Sequence, residues 1–180
     1  MSELLVITAI GEDRPGIVDD LTRILLQHEL NIADSRMSVL GGEFALILLV
    51  SGKLDALQAI QQQSAQLEQS LNLKLLFKLT QGKTDNGQSH SYQLSVEGMD
   101  NPGIVHRLSR FLSERQINIE DLQTSSYPAA HTGTPMFAVK MTVEIPASVA
   151  NEQLREDFME LCDEQNLDAE FKETTSKTND

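Results

Sequence analysis

Short apolar runs of period two alternate with amphipathic stretches of helical period along this chain. Leu4 to Ile10 is apolar and rich in β-branched residues, which predicts a strand. Asp13-Arg14-Pro15-Gly16 interrupts it and predicts a helix start, because proline is well placed in a first helical turn, where its missing N–H is not needed. Ile17, Leu21, Ile24, Leu25 and His28 then recur at helical spacing. Asn31-Ile32 ends that helix and leads into a strand from Ala33 to Leu40, and Gly41-Gly42 is a hairpin signal. Glu43 to Ser51 reads as a third strand. Leu54, Leu57, Ile60, Ser64, Leu67 and Leu71 mark one second amphipathic helix, and Leu73, Leu75, Phe77 and Leu79 alternate as a final strand.

The second half repeats the first. Residues 11–34 and 98–121 align at a constant offset of 87 without a gap, and half of the 24 aligned pairs are identical, from Gly11/Gly98 and Asp13/Asp100 through Pro15-Gly16-Ile17-Val18/Pro102-Gly103-Ile104-Val105 to Asn31-Ile32/Asn118-Ile119. Such self-similarity signals two copies of one unit. Tyr92, Leu94 and Val96 give a strand, and Ile104, Val105, Leu108, Phe111 and Leu112 a helix face. Ile119 to Tyr127 is a strand, Pro128 to Thr134 a loop, and Phe137 to Ile145 alternates cleanly. Leu154, Phe158, Leu161 and Cys162 give the second helix, and Leu167, Ala169 and Phe171 the last strand. The order β-α-β-β-α-β, twice, predicts an α+β chain of two tandem ferredoxin-like domains, antiparallel sheets with the helices on one face. The expected divisions are domain one at 1–79, a polar linker at 80–91, domain two at 92–172, and a disordered tail at 173–180.

The faces away from the helices differ. In the second copy that face offers Gln93, Ser95, Glu97, Lys140, Thr142 and Glu144, which suits water. In the first copy both faces of Leu4–Ile10 and Glu43–Ser51 are apolar, which calls for cover either by the other domain or by a second subunit, the second case being a homo-oligomer.

Charge narrows the functional classes. The formal net charge is −13, and residues 91–180 carry 16 acids against 7 bases while residues 1–90 carry 11 against 7. Nucleic-acid affinity rests largely on Lys and Arg neutralising phosphates, so direct nucleic-acid binding is not expected. RNA-stacking versions of this fold also need sheet aromatics, which are 4% of the chain. The lone Cys162 excludes an intramolecular disulfide and a cysteine-rich metal site, and falls on an apolar stripe that reads as core. No signal peptide and no membrane span is expected, so the reading is cytoplasmic. His28, His90, His106 and His131 are scattered without metal-ligand pairing, and no nucleophile–base signature occurs, so the chain reads as no enzyme. Glu152, Glu156, Asp157, Glu160, Asp163 and Glu164 read as a solvated helix face.

The repeated Asp-x-Pro-Gly-Ile-Val segment is the constellation with the sharpest chemical meaning. It lies where a strand turns into a helix. Free N–H groups and the positive dipole end there suit a carboxylate, and the glycine lets a ligand approach the backbone. The aspartate can grip an ammonium group, so a small amino acid fits. Aspartate as N-cap, proline in the first turn and glycine for tight packing account for the same residues with no ligand at all, and the residues alone leave both readings open.

The segments Gly11 to Val18 with Asn31-Ile32, and Gly98 to Val105 with Asn118-Ile119, resemble the ACT domain, a small-molecule-sensing module. The resemblance covers almost the whole chain as two tandem copies. It implies ligand contacts at Asp13, Arg14, Pro15, Gly16, Ile17 and Asn31 in copy one, and at Asp100, Asn101, Pro102, Gly103, Ile104 and Asn118 in copy two. Asn101 stands where copy one has Arg14, so the two sites need not be equivalent. Two such domains with no attached enzyme are similar to the tandem-ACT family that represses glycine cleavage genes. That resemblance implies an amino-acid-responsive negative regulator of transcription with glycine as effector and no further cofactor. It also implies action through a LysR-type activator, without binding DNA. The alternative is a ligand-sensing regulatory subunit that controls an amino-acid metabolic enzyme in trans.

Overall fold

In β1 (Glu3–Glu12), Leu5, Ile7 and Ala9 point into a core while Leu4, Val6 and Thr8 point to the other side of the sheet. This alternation is the period of a strand packed on one face. The computed structural model describes residues 3–82, 89–147, 149 and 151–174, and the chain divides into two units at Thr84/Asp85. In the first, β1 is followed by α1 (Ile17–Gln27), β2 (Asn31–Leu40), β3 (Glu43–Gly52), α2 (Leu54–Gln62), α3 (Ser64–Leu71) and β4 (Lys74–Thr80). The second holds β5 (Ser89–Met99), α4 (Ile104–Glu114), β6 (Asn118–Pro128), β7 (Pro135–Pro146), α5 (Asn151–Asp163) and β8 (Asp168–Glu173). Each unit has one antiparallel four-stranded sheet, in the orders β2-β3-β1-β4 and β6-β7-β5-β8. The α+β, twice-repeated ferredoxin-like arrangement is therefore the observed one.

Each unit has its own core. Leu5, Ile7, Phe44, Leu46, Leu48 and Val50 from the first sheet pack against Ile17, Leu21, Leu25, Leu57 and Ile60 from its helices. In the second unit Leu94, Val96, Met141 and Val143 pack against Leu108, Leu112, Leu154 and Phe158.

The structure departs from the sequence pattern in five places. The second helix of the first unit is two helices that meet at Gln63, which closes α2 through its N–H to Ala59 O (3.3 Å) and opens α3 by accepting from Leu67 N (3.0 Å). The break falls beside Ser64, where the apolar stripe of Leu57, Ile60, Leu67 and Leu71 lacks an apolar side chain. Helix α1 ends before Asn31-Ile32: Glu29 adopts a left-handed φ of 55°, and Leu30 N bonds to Leu25 O at 2.9 Å. Asn72-Leu73, Gln116-Ile117 and Asn166-Leu167 close α3, α4 and α5 in the same way, each with the second residue buried. This is a Schellman closure whose apolar residue plugs the core. Thirdly, Thr80 and Ser89–Ser91, read as linker, are strand residues, and residues 83–88 lie outside the described ones. Of the expected disordered tail, Glu173 belongs to β8 and Thr174 N bonds to Ser91 O at 2.9 Å, while 175–180 lie outside the described residues. Finally, the Asp-x-Pro-Gly turns do not use their aspartates as caps, as described below.

Cys162 is buried in the second core, and burial pushes its thiol up to about 11. Only thiolate reacts with disulfide reagents. The native chain is therefore expected to resist labelling by a chromogenic disulfide at pH 8 and to label fully in denaturant. Rapid native labelling at the rate of a free thiol would show that Cys162 is not core.

The faces away from the helices carry the contrast expected from the pattern. In the second sheet Gln93, Ser95, Glu97, Lys140 and Thr142 share that face. In the first it holds Val6, Ile10, Ile47, Leu49 and Leu76, with Ile47 exposed at 52% and Leu49 half-buried.

Candidate functional site

Each strand–helix turn is built by a glycine in the left-handed region. Gly16 has φ 88° and Gly103 φ 92°, and each is the residue immediately before its helix. A side chain at such a φ costs about 1–2 kcal/mol, so glycine is the residue the turn wants. Helix α1 begins at Ile17 and α4 at Ile104, and no side chain caps either one. Pro15 and Pro102 thus precede the helices and are not in their first turn. Asp13 and Asp100 are held through their main chains: Asp13 N donates to Gly42 O at 3.1 Å, and Asp100 N to Pro135 O at 2.9 Å. Their carboxylates are exposed, and Asp100 Oδ2 accepts from Ser126 Oγ at 3.3 Å. With the cap reading removed, each turn keeps exposed backbone at a helix start beside an exposed carboxylate.

Ile17 and Ile104 are buried and anchor their helices to the core, so they support the turns from beneath. Asp13 to Gly16 and Asp100 to Gly103 are all exposed. A Cβ placed on Gly16 would meet only Arg14 Nη1, at 3.9 Å. The space over that turn is open.

Asn31 and Asn118 are elsewhere. Asn31 pairs with Ser51, which pairs with Leu4 at the start of β1, whereas the turn follows Glu12 at its end. Asn118 likewise pairs with Glu144 and, across it, Ser91, while the second turn follows Met99. At about 3.3 Å per residue, a whole strand length separates each asparagine from the turn of its own unit.

The two turns differ in charge. In the first, Arg14 Nη2 donates to Asp20 Oδ2 at 2.8 Å, and Arg23 reaches the same carboxylate at 3.1 Å. The Arg14 hydrogen bond holds the Asp20 carboxyl below the usual carboxylate range. Arg14 is thus matched by an acid. In the second, Asn101 is neutral and donates to Met99 O at 3.3 Å. The cation there is Arg107, at the position that matches Asp20. Its Nη1 donates to Pro102 O at 3.3 Å, its Nε to Gln165 Oε1, and it lies 3.0 Å from where a Cβ on Gly103 would stand. Among the described residues Arg107 bonds only to neutral groups, so its charge remains available beside the turn. The loop motif alone misses Arg107, but the repeat alignment shows it as a charge reversal against Asp20.

A recess of about 400 Å³ lies at the end of β1 in the first unit, lined among others by Ile10, Gly11, Glu68, Asn72 and Leu73, and none of the twelve candidate contacts lines it. Among the described residues no group of three or more His, Cys, Asp or Glu could hold a metal ion, and no helix is long and apolar enough to cross a membrane.

The ACT domain pattern matches residues 3–78 and 90–172. The chain is 32% identical over 162 residues to the glycine cleavage system transcriptional repressor of Escherichia coli, an alignment that spans 90% of this chain and 85% of that one. A crystal structure of a protein assigned as a glycine cleavage system transcriptional repressor superposes with a TM-score of 0.74 at 27% identity, over 98% of this chain and 99% of that one. A crystal structure of a protein of unknown function from Galdieria sulphuraria superposes with a TM-score of 0.80 at 27% identity, over 97% and 100%. The chain belongs to the ACT-domain family, as two tandem copies, in the group that includes the glycine cleavage system transcriptional repressor.

Proposed function

We propose that this chain is an amino-acid-responsive regulator that lowers transcription of glycine cleavage genes through a LysR-type activator, without contacting DNA itself. The likeness to the Escherichia coli repressor along 90% of the chain supports the regulated process. The net charge of −13 supports protein contact over phosphate contact. The ligand reading is carried by one observation, the Arg107 guanidinium, which has no acidic partner among the described residues, beside an uncapped helix start and the exposed Asp100 carboxylate. A cation and free N–H groups take a carboxylate. Asp100 takes the ammonium. Glycine carries both groups and no side chain that must be housed.

In the first turn Asp20 neutralises Arg14, so the second turn is the stronger amino-acid site. Ligand binding regulates only if the states that do and do not engage the activator differ in affinity for glycine. By linkage, the activator then changes glycine affinity by the same factor.

Calorimetric titration with glycine, serine and alanine tests the site. The native chain is expected to bind glycine, and Arg107→Gln to weaken it about 10- to 100-fold, the loss of one charged hydrogen bond of about 1.5–3 kcal/mol. No heat with any amino acid, or unchanged affinity in the variant, would refute the assignment. Co-purification of a LysR-type protein with the tagged chain, modulated by glycine, tests the partner.

A further inference from the structure

The open face of the first sheet has a cross-strand charge order that fits a second copy of itself. Its register gives three central rows running from the β2 edge to the β4 edge. They are Asp34–Leu49–Val6–Lys78, Arg36–Ile47–Thr8–Leu76 and Ser38–Ala45–Ile10–Lys74. The middles of these rows are largely apolar. Ile10 is exposed at 48%, Ile47 at 52% and Leu76 at 68%. The ends of the first row are an acid and a base.

The charges on this face balance, with Glu12, Asp34 and Glu43 against Arg36, Lys74 and Lys78. The matching face of the second sheet carries Glu97, Asp121, Glu144, Asp168 and Glu170 against Lys140 and Lys172, around a polar centre. Two copies of a chain with net charge −13 repel each other over most of their surface. A neutral, apolar face is where they approach at least cost.

We propose that two copies of this chain pair through the open faces of their first sheets, about a twofold axis parallel to the strands. An isologous contact must be complementary to itself. A twofold axis along the strands exchanges the two ends of every row. Asp34 then faces the partner's Lys78, and Lys78 faces the partner's Asp34, while the apolar middles meet. Packed sheets keep their strands within about 30° of each other, close enough to preserve this correspondence near the axis. The reverse arrangement, with the axis across the strands, keeps like edges together and sets the β4 lysines against one another. Glu12 and Glu43 lie at the end of the sheet, where the rim is wet.

Sedimentation velocity on the full chain across a concentration series tests this. A dimer is expected. Ile47→Lys places a charge in the centre of the face from an exposed position and is expected to weaken the dimer about 30-fold or more, as loss of a central contact does. Gln93→Lys, on the face of the second sheet, is expected to leave it intact. Asp34→Lys and Lys78→Asp are each expected to weaken the dimer, and D34K/K78D to restore it. A cross-strand row keeps these two residues too far apart within one copy for rescue to arise there. Circular dichroism confirms that each variant is folded; if Ile47→Lys is not, Leu76→Glu at the sheet edge takes its place. A chain that stays monomeric at every concentration overturns the proposal, as does a dimer indifferent to Ile47→Lys. Failure of D34K/K78D to rescue the single variants overturns the twofold orientation and with it the proposal.

Discussion

Replacing Phe158 with alanine is expected to destabilise the second unit strongly and leave the first unchanged. Phe158 is fully buried, with its ring 5.7 Å from that of Phe111 and 6.0 Å from that of Phe171. It therefore ties α5 to both α4 and β8. Truncating such a side chain costs about 3–5 kcal/mol through lost transfer energy and the cavity left behind. A unit of this size has about 5–13 kcal/mol in total, at roughly 0.05–0.15 kcal/mol per residue. The first core contains none of the second core's residues. Differential scanning calorimetry of the variant should then show two transitions, one lowered by more than about 10 °C and one in place. A single transition that moves as a whole would mean that the two cores melt as one cooperative unit.

The next largest effect is expected at Gly11. A Cβ there would lie 2.8 Å from Leu73 Cδ2 and 2.9 Å from Asn72 O. Side-chain ends can swing away; the carbonyl cannot, because Asn72 is locked at φ 54° in the closure of α3 and Leu73 is buried beside it. Gly11→Ala is expected to cost about 1–3 kcal/mol, the range for overpacking a tight interior. Gly98 repeats the arrangement, with a Cβ 2.5 Å from Leu167 Cδ2 and 3.2 Å from Asn166 O. Urea denaturation reads the change as a shifted midpoint at constant slope. A variant as stable as the native chain would show that β1 and the end of α3 have room to separate. The two glycines of each motif thus do different work: Gly11 and Gly98 let the chain pass close to itself, and Gly16 and Gly103 turn it.

These roles were only partly legible in the residues. Alternation in Leu5-Ile7-Ala9 and Tyr92-Leu94-Val96 gave strands because a one-sided core imposes period two, and the stripes at Ile17-Leu21-Leu25 and Ile104-Leu108-Leu112 gave helices for the matching reason at 3.6. The break at Gln63 was not visible. Ser64 sits at a position helical spacing allows, and only the path of the helix over the sheet decides whether the stripe continues straight. The Schellman closures were half hidden: Asn72 and Asn166 enter the left-handed region readily and can mark a helix end, but Glu29 and Gln116 carry no such mark, and what they share with the asparagines is the buried Leu or Ile that follows.

At the candidate site the motif located the turns, and the repeat alignment showed the neutral Asn101 against Arg14. Which cation stands over which turn depends on where a flexible side chain comes to rest. Arg14 folds back to Asp20, and Arg107 reaches Pro102 and Gln165. The separation of Asn31 from Asp13 follows from register, which pairs Asn31 with Ser51 and so sends it to the far end of the sheet.

Covalent order and local periodicity determined that this chain is two copies of one β-α-β-β-α-β unit, with one apolar sheet face and one polar one, because those properties are written in side-chain identity at short range. Tertiary structure alone decided which glycine packs and which one turns, that neither aspartate caps a helix, and that the cation at the second turn bonds only to neutral groups among the described residues while the one at the first turn meets an acid. Those outcomes depend on contacts between residues far apart in the chain, such as Gly11 with Asn72 and Arg107 with Gln165, and no local pattern encodes a distance across the fold.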